Sequence, residues 1–281
     1  MKKKILVDSG CCLMGMENIA DGIAFERVPL KILMGEKEFV DDETLDVAQM
    51  IDEMYAYPGK TSSACPSPEE YAEHFRDADE CYVVTITGTL SGSYNAAMVA
   101  KHMVEEEYPD KNIYVLDSES AGPEITLIAQ KIHELLASGL PFEEVCAKID
   151  DYADHTKLVA VLYSIENLVK NGRVPKIVGM AANLLSLHLL ISASPEGEIA
   201  PIAKSRNKKK GAALLLAEME DKGYCGGKVQ ITHCQNPAGV ELIKDTISAK
   251  YKNVVFETME TRGLCSYYAE RGGLMVGYEV K

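Results

Sequence analysis

Short apolar runs alternate with longer stretches of helical periodicity in the first half of the chain. The runs at 3–7, 82–86 and 112–116 contain the apolar and β-branched residues that are typical of buried strands. The second and third runs each lead into a segment, from Ser93 and over 125–136, where apolar residues recur with helical spacing. Strands that alternate with helices predict parallel βαβ units.

Each of these predicted strands ends in a loop of small and polar residues, at 8–10, 87–92 and 117–122. The carboxyl ends of parallel strands lie at one edge of a sheet, where such folds bind ligands, so we expect the loops to converge there. The loop at 87–92 precedes a helix whose first amides have no partner within the helix. Those amides and the helix dipole form an anion site, which a phosphate or a carboxylate would suit equally.

Other patterns complete the first half. Residues 28–33 are expected to form a second strand, with a return strand at 38–40, and residues 46–55 have the apolar face of a helix. The segment 59–68 is rich in Gly, Ser and Pro and predicts a loop. A capping-box pattern at 67–70 indicates that another helix begins there.

The chain becomes polar at 150–155, which we take as the boundary between domains at 1–155 and 156–281. The sequence thus predicts an α/β protein with two α/β domains. The first carries the Ser/Thr loops on a mainly parallel sheet, and the second has a mixed sheet packed by helices. The strands expected in the second domain are at 158–163, 188–194, 199–204, 228–233, 253–259 and 274–278, and the helices are at 165–170, from Lys176, at 211–220 and at 237–250.

The charge of the chain argues against two classes of partner. Its 281 residues contain 29 Lys and Arg against 43 Asp and Glu, a formal net charge of −14. Nucleic-acid phosphates and anionic lipids both attract basic surfaces, so we expect no nucleic-acid partner and no stable membrane anchor. The longest uncharged stretch, between Lys176 and Glu196, contains Asn183 and His188 and does not resemble a membrane span.

The eight cysteines predict neither disulfides nor a metal site. The apolar run after the N-terminal lysines stops at Asp8, which is too short for a signal peptide, so we expect reduced thiols in the cytoplasm. No C-x-x-C pair occurs, and Cys11 and Cys12 are adjacent. We therefore expect no zinc cluster, no other metal and no cofactor.

The motifs of two enzyme classes fail to match. Gly59-Lys60-Thr61 resembles the end of a nucleotide P-loop, but Met54 stands where that motif needs Gly, and no G-x-S-x-G elbow occurs. Hydroxyl-rich loops also cap helices without binding anything. Three such loops on one sheet edge, faced by Arg173 from the second domain, favour a binding site. An enzyme acting on a small phosphorylated or carboxylated substrate through the same loops remains an alternative.

Several short motifs also occur in the order found in a known family. They are Val7-Asp8-Ser9, Val28-Pro29-Leu30 with Asp41, Leu90-Ser91-Gly92-Ser93-Tyr94, Asp117-Ser118 and Asn171-Gly172-Arg173. With these motifs the sequence resembles, over essentially its whole length, the DegV family of fatty acid-binding proteins. The resemblance implies that a long-chain fatty acid lies between the two domains, with its carboxylate at the Ser/Thr loops and its tail under the second domain. It also implies a cytoplasmic carrier rather than an enzyme, which presents the carboxylate to a fatty acid kinase for acyl-phosphate formation in phospholipid synthesis.

The motif matches assign a set of ligand-binding residues. They are Thr61, Ser62, Ser63, Ser91, Gly92, Ser93 and Arg173. Ser91 and Gly92 match the family's Leu-Ser-Gly motif, Ser93 matches its longer form Leu-Ser-Gly-Ser/Thr-Tyr, and Arg173 matches the family's Gly-Gly-Arg. The first three match a Thr-Ser-x-Pro-Ser loop that is longer here and can be aligned from either end, so which of the three hydroxyls binds the carboxylate stays open.

Two further positions are assigned by the resemblance. Tyr268 stands where the family has the His of a His-x-Gly-Pro-Gly motif. If that His assists acyl transfer, this chain either uses Tyr268 or does not pair with that kinase. Arg206 falls where the family shows a basic residue linked to kinase docking. A lipid-sensing regulatory module that docks through this patch is a further alternative.

The expected energetics divide the ligand into two parts. Each buried methylene contributes about 0.8 kcal/mol, so a long acyl chain supplies roughly 10 kcal/mol before the costs of binding are deducted. A hydrogen bond to the head group adds only about 1–3 kcal/mol. We therefore expect the tail to supply the affinity. The loops that bind the head group are expected to set the register of the ligand in its site. We expect room for the tail beside Gly179, Ala181 and Ala182, although such small residues suit close helix packing equally well.

Overall fold

The computed structural model describes residues 1–174 and 187–281. The expected helix from Lys176, with Gly179, Ala181 and Ala182, lies outside the described residues. Within the described ranges the strands are β1 (Lys3–Asp8), β2 (Ile23–Val28), β3 (Lys31–Met34), β4 (Lys37–Val40), β5 (Thr61–Ala64), β6 (Glu80–Thr85), β7 (Asn112–Asp117), β8 (Thr156–Leu162), β9 (His188–Ala193), β10 (Ile199–Ser205), β11 (Gly227–His233), β12 (Val254–Glu260) and β13 (Leu274–Glu279). The helices are α1 (Val47–Ala56), α2 (Pro68–Arg76), α3 (Ser93–Glu107), α4 (Pro123–Ala137), α5 (Phe142–Asp154), α6 (Glu166–Lys170), α7 (Lys208–Asp221), α8 (Pro237–Lys250) and α9 (Gly263–Ala269).

The first sheet holds β2, β1, β6 and β7 in that order, and all of its neighbouring strands are parallel. Leu6 and Val83 pack on one face with α2 and α3, whereas Val7 and Val84 pack on the other face with α4 and α5. Because both faces are covered, the centres of β1, β6 and β7 are continuous apolar runs rather than alternating patterns. The mainly parallel first sheet is confirmed, and the loops after β1, β6 and β7 lie at its carboxyl edge.

A small antiparallel sheet is ordered β4-β3-β5, and the expected return strand at 38–40 is confirmed as β4. The expected strand at 28–33 corresponds to β3, which begins only after Pro29, a residue with no amide to donate to a ladder. Strand β2 (Ile23–Val28) was not predicted. The expected loop at 59–68 contains β5, which pairs with β3. Side chains along a strand alternate between its faces, so β5 directs its successive hydroxyls to different surroundings.

The third sheet has six strands in the order β10-β9-β8-β13-β11-β12, and only β11 and β12 are parallel neighbours within the described residues. The predicted mixed sheet is therefore confirmed. Helices α7 and α8 cover one face, which carries Val159, Val161 and Val276. Ala160 and Ile191 belong to the opposite face, which is turned toward the first half of the chain.

Two helices pack across the expected domain boundary. Helix α4 contacts β1 and β6 of the first sheet and also β8, β11 and β13 of the six-stranded sheet. Helix α9 contacts β3 and α1. The polar stretch at 150–155 is mostly the end of α5, and the chain enters the six-stranded sheet at Thr156. The division into 1–155 and 156–281 therefore stays a prediction. No helix in the described ranges is long and apolar enough to cross a membrane.

Candidate functional site

A cavity of about 340 Å³ lies between the carboxyl edge of the first sheet, strand β5, helix α9 and the inner face of the six-stranded sheet. We call it the central cavity. Both halves of the chain contribute apolar side chains to its wall. These include Leu30, Ile86, Leu90, Leu162, Ile191 and Met275.

Polar groups line part of the central cavity, and several of them are residues that the sequence singled out. The predicted residues on its wall are Ser63, Ser91, Gly92, Arg173 and Tyr268. The predicted residues that are not on its wall are Thr61, Ser62, Ser93 and Arg206. The structure therefore brings together one hydroxyl of β5, the start of α3, the Arg after α6 and the Tyr of α9.

The loop from Thr87 to Gly92 is folded by its own backbone. The Thr87 carbonyl oxygen accepts hydrogen bonds from the amides of Leu90 and Ser91, each at 3.2 Å. The Ser91 hydroxyl accepts from the Ser93 amide at 3.3 Å. Gly92 is the N-cap residue of α3, so the first amides of this helix and the positive end of its dipole lie at the cavity wall.

Ser93 does not reach the cavity, in contrast to the prediction. Its side chain is fully buried, and its hydroxyl donates to Asp8 at 2.6 Å and lies 2.6 Å from the Tyr71 hydroxyl. Asp8 also accepts from the amides of Gly10 and Ile86. Because burial disfavours the charged form, the pKa of Asp8 rises to about 6 despite these donors. Ser93 thus joins the start of α3 to the ends of β1 and β6 and is not part of the cavity wall; its assignment as a ligand-binding residue stays a prediction.

Strand β5 is joined to α9 by two pairs of hydroxyls. Ser63 Oγ lies 2.8 Å from the Tyr268 hydroxyl, and Thr61 Oγ1 lies 2.7 Å from the Tyr267 hydroxyl. Thr61 is buried behind the cavity wall, and Ser62, between them, alternates to another side of the strand. Of the three hydroxyls left open by the sequence, Ser63 alone lies on the cavity wall among the described residues.

Arg173 is held at the cavity by carbonyl oxygens. Its Nε donates to the Leu90 carbonyl at 3.1 Å, and a terminal nitrogen donates to the Asn171 carbonyl. Gly172 precedes it with a φ of +73°, the left-handed conformation expected of a residue that ends a helix. A guanidinium has five N–H donors, so Arg173 keeps donors for an anion after serving these two oxygens.

Arg206 lies away from the cavity. It is exposed between β10 and α7, next to the exposed Lys208, Lys209 and Lys210. Arg206 is not part of the cavity wall, and its role in kinase docking stays a prediction.

Helix α9 contributes to the cavity wall and was not predicted from the sequence. The buried carboxylate of Asp41 accepts hydrogen bonds from the amides of Gly263 and Leu264, each at 2.8 Å, and so holds the start of the helix. Burial raises the pKa of Asp41. Two features of the sequence could have indicated this helix, Asp41 in a family motif and Tyr268. The helix has only seven residues, however, and its N-cap residue makes no side-chain capping hydrogen bond.

The hairpin between β9 and β10 closes one side of the cavity. Gly197 lies on the cavity wall, and the Thr89 hydroxyl donates to the Glu196 carbonyl at 2.6 Å. Gly197 has a φ of +74°, and a Cβ at this position would collide with the Thr87 hydroxyl. Glycine is therefore required both by the backbone conformation and by the close approach of the hairpin to the Thr87 loop.

A comparison with known proteins finds a matching family model and close relatives over the whole chain. A family model described as an uncharacterised protein of the DegV family matches residues 2–281. A DegV domain-containing protein of Streptococcus pyogenes serotype M1 is 44% identical over 280 residues, which cover 100% of both chains. A DegV domain-containing protein of Streptococcus gordonii is 42% identical over the same length and coverage.

Two solved structures share the whole architecture. The Fatty Acid Kinase (Fak) B3 protein of Streptococcus pneumoniae, loaded with linoleic acid, superposes with a TM-score of 0.98 at 40% identity over 100% of both chains. A DegV family protein of Eubacterium eligens, loaded with heptadecanoic acid, superposes with a TM-score of 0.94 at 38% identity, covering 99% of this chain and 100% of its own.

Proposed function

This chain belongs to the DegV family, and from that premise we propose that it binds one long-chain fatty acid in the central cavity. In this proposal the acyl tail lies against the apolar inner face of the six-stranded sheet. The carboxylate lies at the polar part of the wall formed by β5, α3 and α9. The protein acts as a carrier, with no chemistry of its own on the acid.

The observation that carries the proposal is the composition of the cavity wall. The volume of about 340 Å³ falls within the range of small-molecule sites, and most of its lining is apolar. An acid with about 15 methylenes would gain roughly 12 kcal/mol from burial before binding costs are deducted. A small polar substrate would leave this wall without matching contacts, so the apolar lining favours an acyl ligand over the alternative of a small phosphorylated or carboxylated substrate.

The head group is assigned to residues that line the cavity together. We propose that the carboxylate accepts hydrogen bonds from Ser91, from Ser63 and from the first amides of α3, with Arg173 supplying positive charge. Tyr268 shares a hydrogen bond with Ser63, so its hydroxyl orients the Ser63 proton. Through this hydrogen bond Tyr268 assists acyl transfer, the role that the family's His is expected to have in other members.

We also propose that a separate fatty acid kinase receives the carboxylate. The support is the structural similarity to a protein whose name refers to fatty acid kinase, together with the exposed basic residues 206 and 208–210 on a chain of net charge −14. Such a patch would attract an acidic surface of the kinase. The cytoplasm is the proposed compartment, because the eight cysteines are all free thiols.

Mass spectrometry of lipids released by denaturing the freshly purified protein tests the binding proposal. We expect about one long-chain acid per chain, and heptadecanoic acid should rebind to the delipidated protein in a calorimetric titration. Absence of a released acid together with absence of rebinding would overturn the proposal.

The kinase proposal has its own test. With a fatty acid kinase and ATP, acyl phosphate should form on the loaded protein, and Arg206→Glu should slow it without changing fatty acid affinity. Lys252→Glu, an exposed change elsewhere on the surface, is the matched control. Equal rates for the two variants would contradict docking through Arg206.

A further inference from the structure

Glu270 combines two unfavourable features at the end of α9. Its backbone has a φ of +54° and a ψ of 176°, a conformation that favours glycine over any residue with a side chain. The residue is also buried, with an exposed fraction of 2%. Because burial disfavours the charged form of a carboxyl group, the pKa of Glu270 is raised. Strained residues of this kind persist only where the surrounding structure holds them, and they cluster at functional sites.

The Glu270 carboxylate joins the end of α9 to two other helices. One oxygen accepts a hydrogen bond from the Asn167 amide of α6 at 3.2 Å, and the other accepts from the Tyr55 hydroxyl of α1 at 3.4 Å. The Tyr55 hydroxyl in turn accepts from the Arg271 amide at 3.1 Å. Helix α6 has five residues, and its N-cap residue, Ile165, makes no side-chain capping hydrogen bond. Glu270 therefore supplies, from a distant part of the chain, the acceptor that α6 lacks locally.

A second set of hydrogen bonds connects α6 to α9 and to the cavity arginine. The side-chain amides of Asn167 and Asn171 donate to the carbonyl oxygen and to the hydroxyl of Tyr267, each at 2.8 Å. The Asn171 carbonyl oxygen accepts from the Arg173 guanidinium. The Arg173 amide donates to the Leu168 carbonyl oxygen at 2.8 Å. The place of the guanidinium at the cavity wall therefore depends on how α6 sits on α9.

We propose that Glu270 is a positioning residue for the head-group site. By holding α6 against the end of α9, it keeps the Arg173 guanidinium at the polar part of the cavity wall. Glu270 is not itself among the wall residues in the described part of the chain, so it acts through Arg173. This role rests on the proposed function. It implies that Glu270 supports the preference for a charged carboxylate over an uncharged head group on the same tail.

Competition between heptadecanoic acid and 1-heptadecanol tests the proposal, because the two ligands have the same chain length and differ in the head group. Each displaces a fluorescent fatty acid from the delipidated protein at neutral pH. The ratio of their dissociation constants measures the preference for the carboxylate, and the parent protein should prefer the acid. A change that merely loosened the cavity would weaken both ligands equally and leave this ratio unchanged.

Glu270→Gly is the decisive variant. Glycine suits the backbone conformation at this position, so the variant should fold, and thermal unfolding verifies that it does. The preference for the acid should fall by at least about tenfold, which corresponds to the loss of one hydrogen bond to a charged group.

Three further variants separate the cause. Glu270→Gln keeps an oxygen that can accept from the Asn167 amide and should retain most of the preference. Glu166→Gln, an exposed change on α6, is the matched control and should leave the ratio unchanged. In an Arg173→Met background the preference is already low, and adding Glu270→Gly should change it little, because Glu270 acts through Arg173.

The outcomes separate this role from the proposed function. A folded Glu270→Gly protein with the ratio of the parent overturns the proposal, as does an equal loss with and without Arg173. If Glu270→Gln loses the preference as fully as Glu270→Gly does, the hydrogen bond to α6 is not the cause and the proposal fails. A parent protein that binds neither ligand contradicts the proposed function itself. A parent that binds acid and alcohol equally contradicts the role of Arg173 and, with it, that of Glu270.

Discussion

Replacing Ala160 by Leu tests the placement of the acyl tail. Ala160 is buried in the middle of β8 and lines the central cavity, with Met275 and Ile191 opposite it on the two neighbouring strands. Leucine adds three carbons at a point where the inner face of the sheet meets the cavity. The side chain would therefore occupy space that we assign to the acyl tail.

The expected loss follows from the methylenes that are displaced. If the three added carbons exclude about three methylenes of the ligand from the wall, binding weakens by roughly 2.4 kcal/mol. At about 1.4 kcal/mol per factor of ten, this corresponds to roughly a 50-fold rise in the dissociation constant of heptadecanoic acid.

Calorimetric titration of the delipidated variant with heptadecanoic acid measures this change. Ala213→Leu, on the exposed side of α7, is the matched control and should bind as the parent protein does. Thermal unfolding verifies that both variants are folded. A folded Ala160→Leu protein with unchanged affinity would refute the idea that the tail lies against β8.

Three more outcomes are expected. Ser91→Ala should weaken heptadecanoic acid binding by only about 1 kcal/mol, roughly fivefold in a titration, because one head-group hydrogen bond is lost while the tail is unchanged; a loss of a hundredfold or more would show that the head dominates affinity. The pKa of Asp8 is raised by folding from 3.8 to about 6, so its contribution to stability is present at low pH and is lost as pH rises through 6. Between about pH 5 and pH 7.5 this amounts to about 1 kcal/mol of unfolding free energy. Denaturant titrations of Asp8→Asn should lack that dependence, and an unchanged dependence would contradict the assignment. Gly197→Ala should cost about 1–2 kcal/mol in stability from the left-handed backbone and should also speed fatty acid release, since the new Cβ meets the Thr87 hydroxyl. Gly139→Ala has a similar φ of +75° in open space and should alter stability alone, so equal release rates for the two variants would exclude a role of the hairpin in closing the cavity.

The parts of the fold that were predicted correctly have local signals. Buried parallel strands are continuous apolar runs, and the small-residue loops that follow them are visible without any knowledge of distant contacts. Strands β1, β6 and β7 of the first sheet, the loop at 87–92 and the start of α3 at Ser93 were therefore predicted, whereas β2 was not. The positions of Ser91, Gly92 and Arg173 on the cavity wall agree with that local order together with the family motifs.

The parts that were missed depend on contacts between distant residues. Strand β5 exists because β3 pairs with it, and its own sequence of small hydroxyl residues resembles a loop. Helix α9 is held by Asp41, which is 222 positions away from Gly263. Ser93 was assigned to the ligand because a motif contains it, whereas Asp8, 85 positions away, accepts its hydrogen bond. No periodicity within one segment reports on such partners.

The central claim is that a fatty acid lies with its tail against the six-stranded sheet and its carboxylate beside Ser91. A crystal structure of the delipidated protein with a fatty acid that carries a terminal bromine tests it most directly, because anomalous scattering locates the end of the tail. We expect the bromine inside the central cavity, with the carboxylate within hydrogen-bond distance of Ser91 and Ser63. A cavity filled by side chains, or a bromine outside the cavity, would contradict the account.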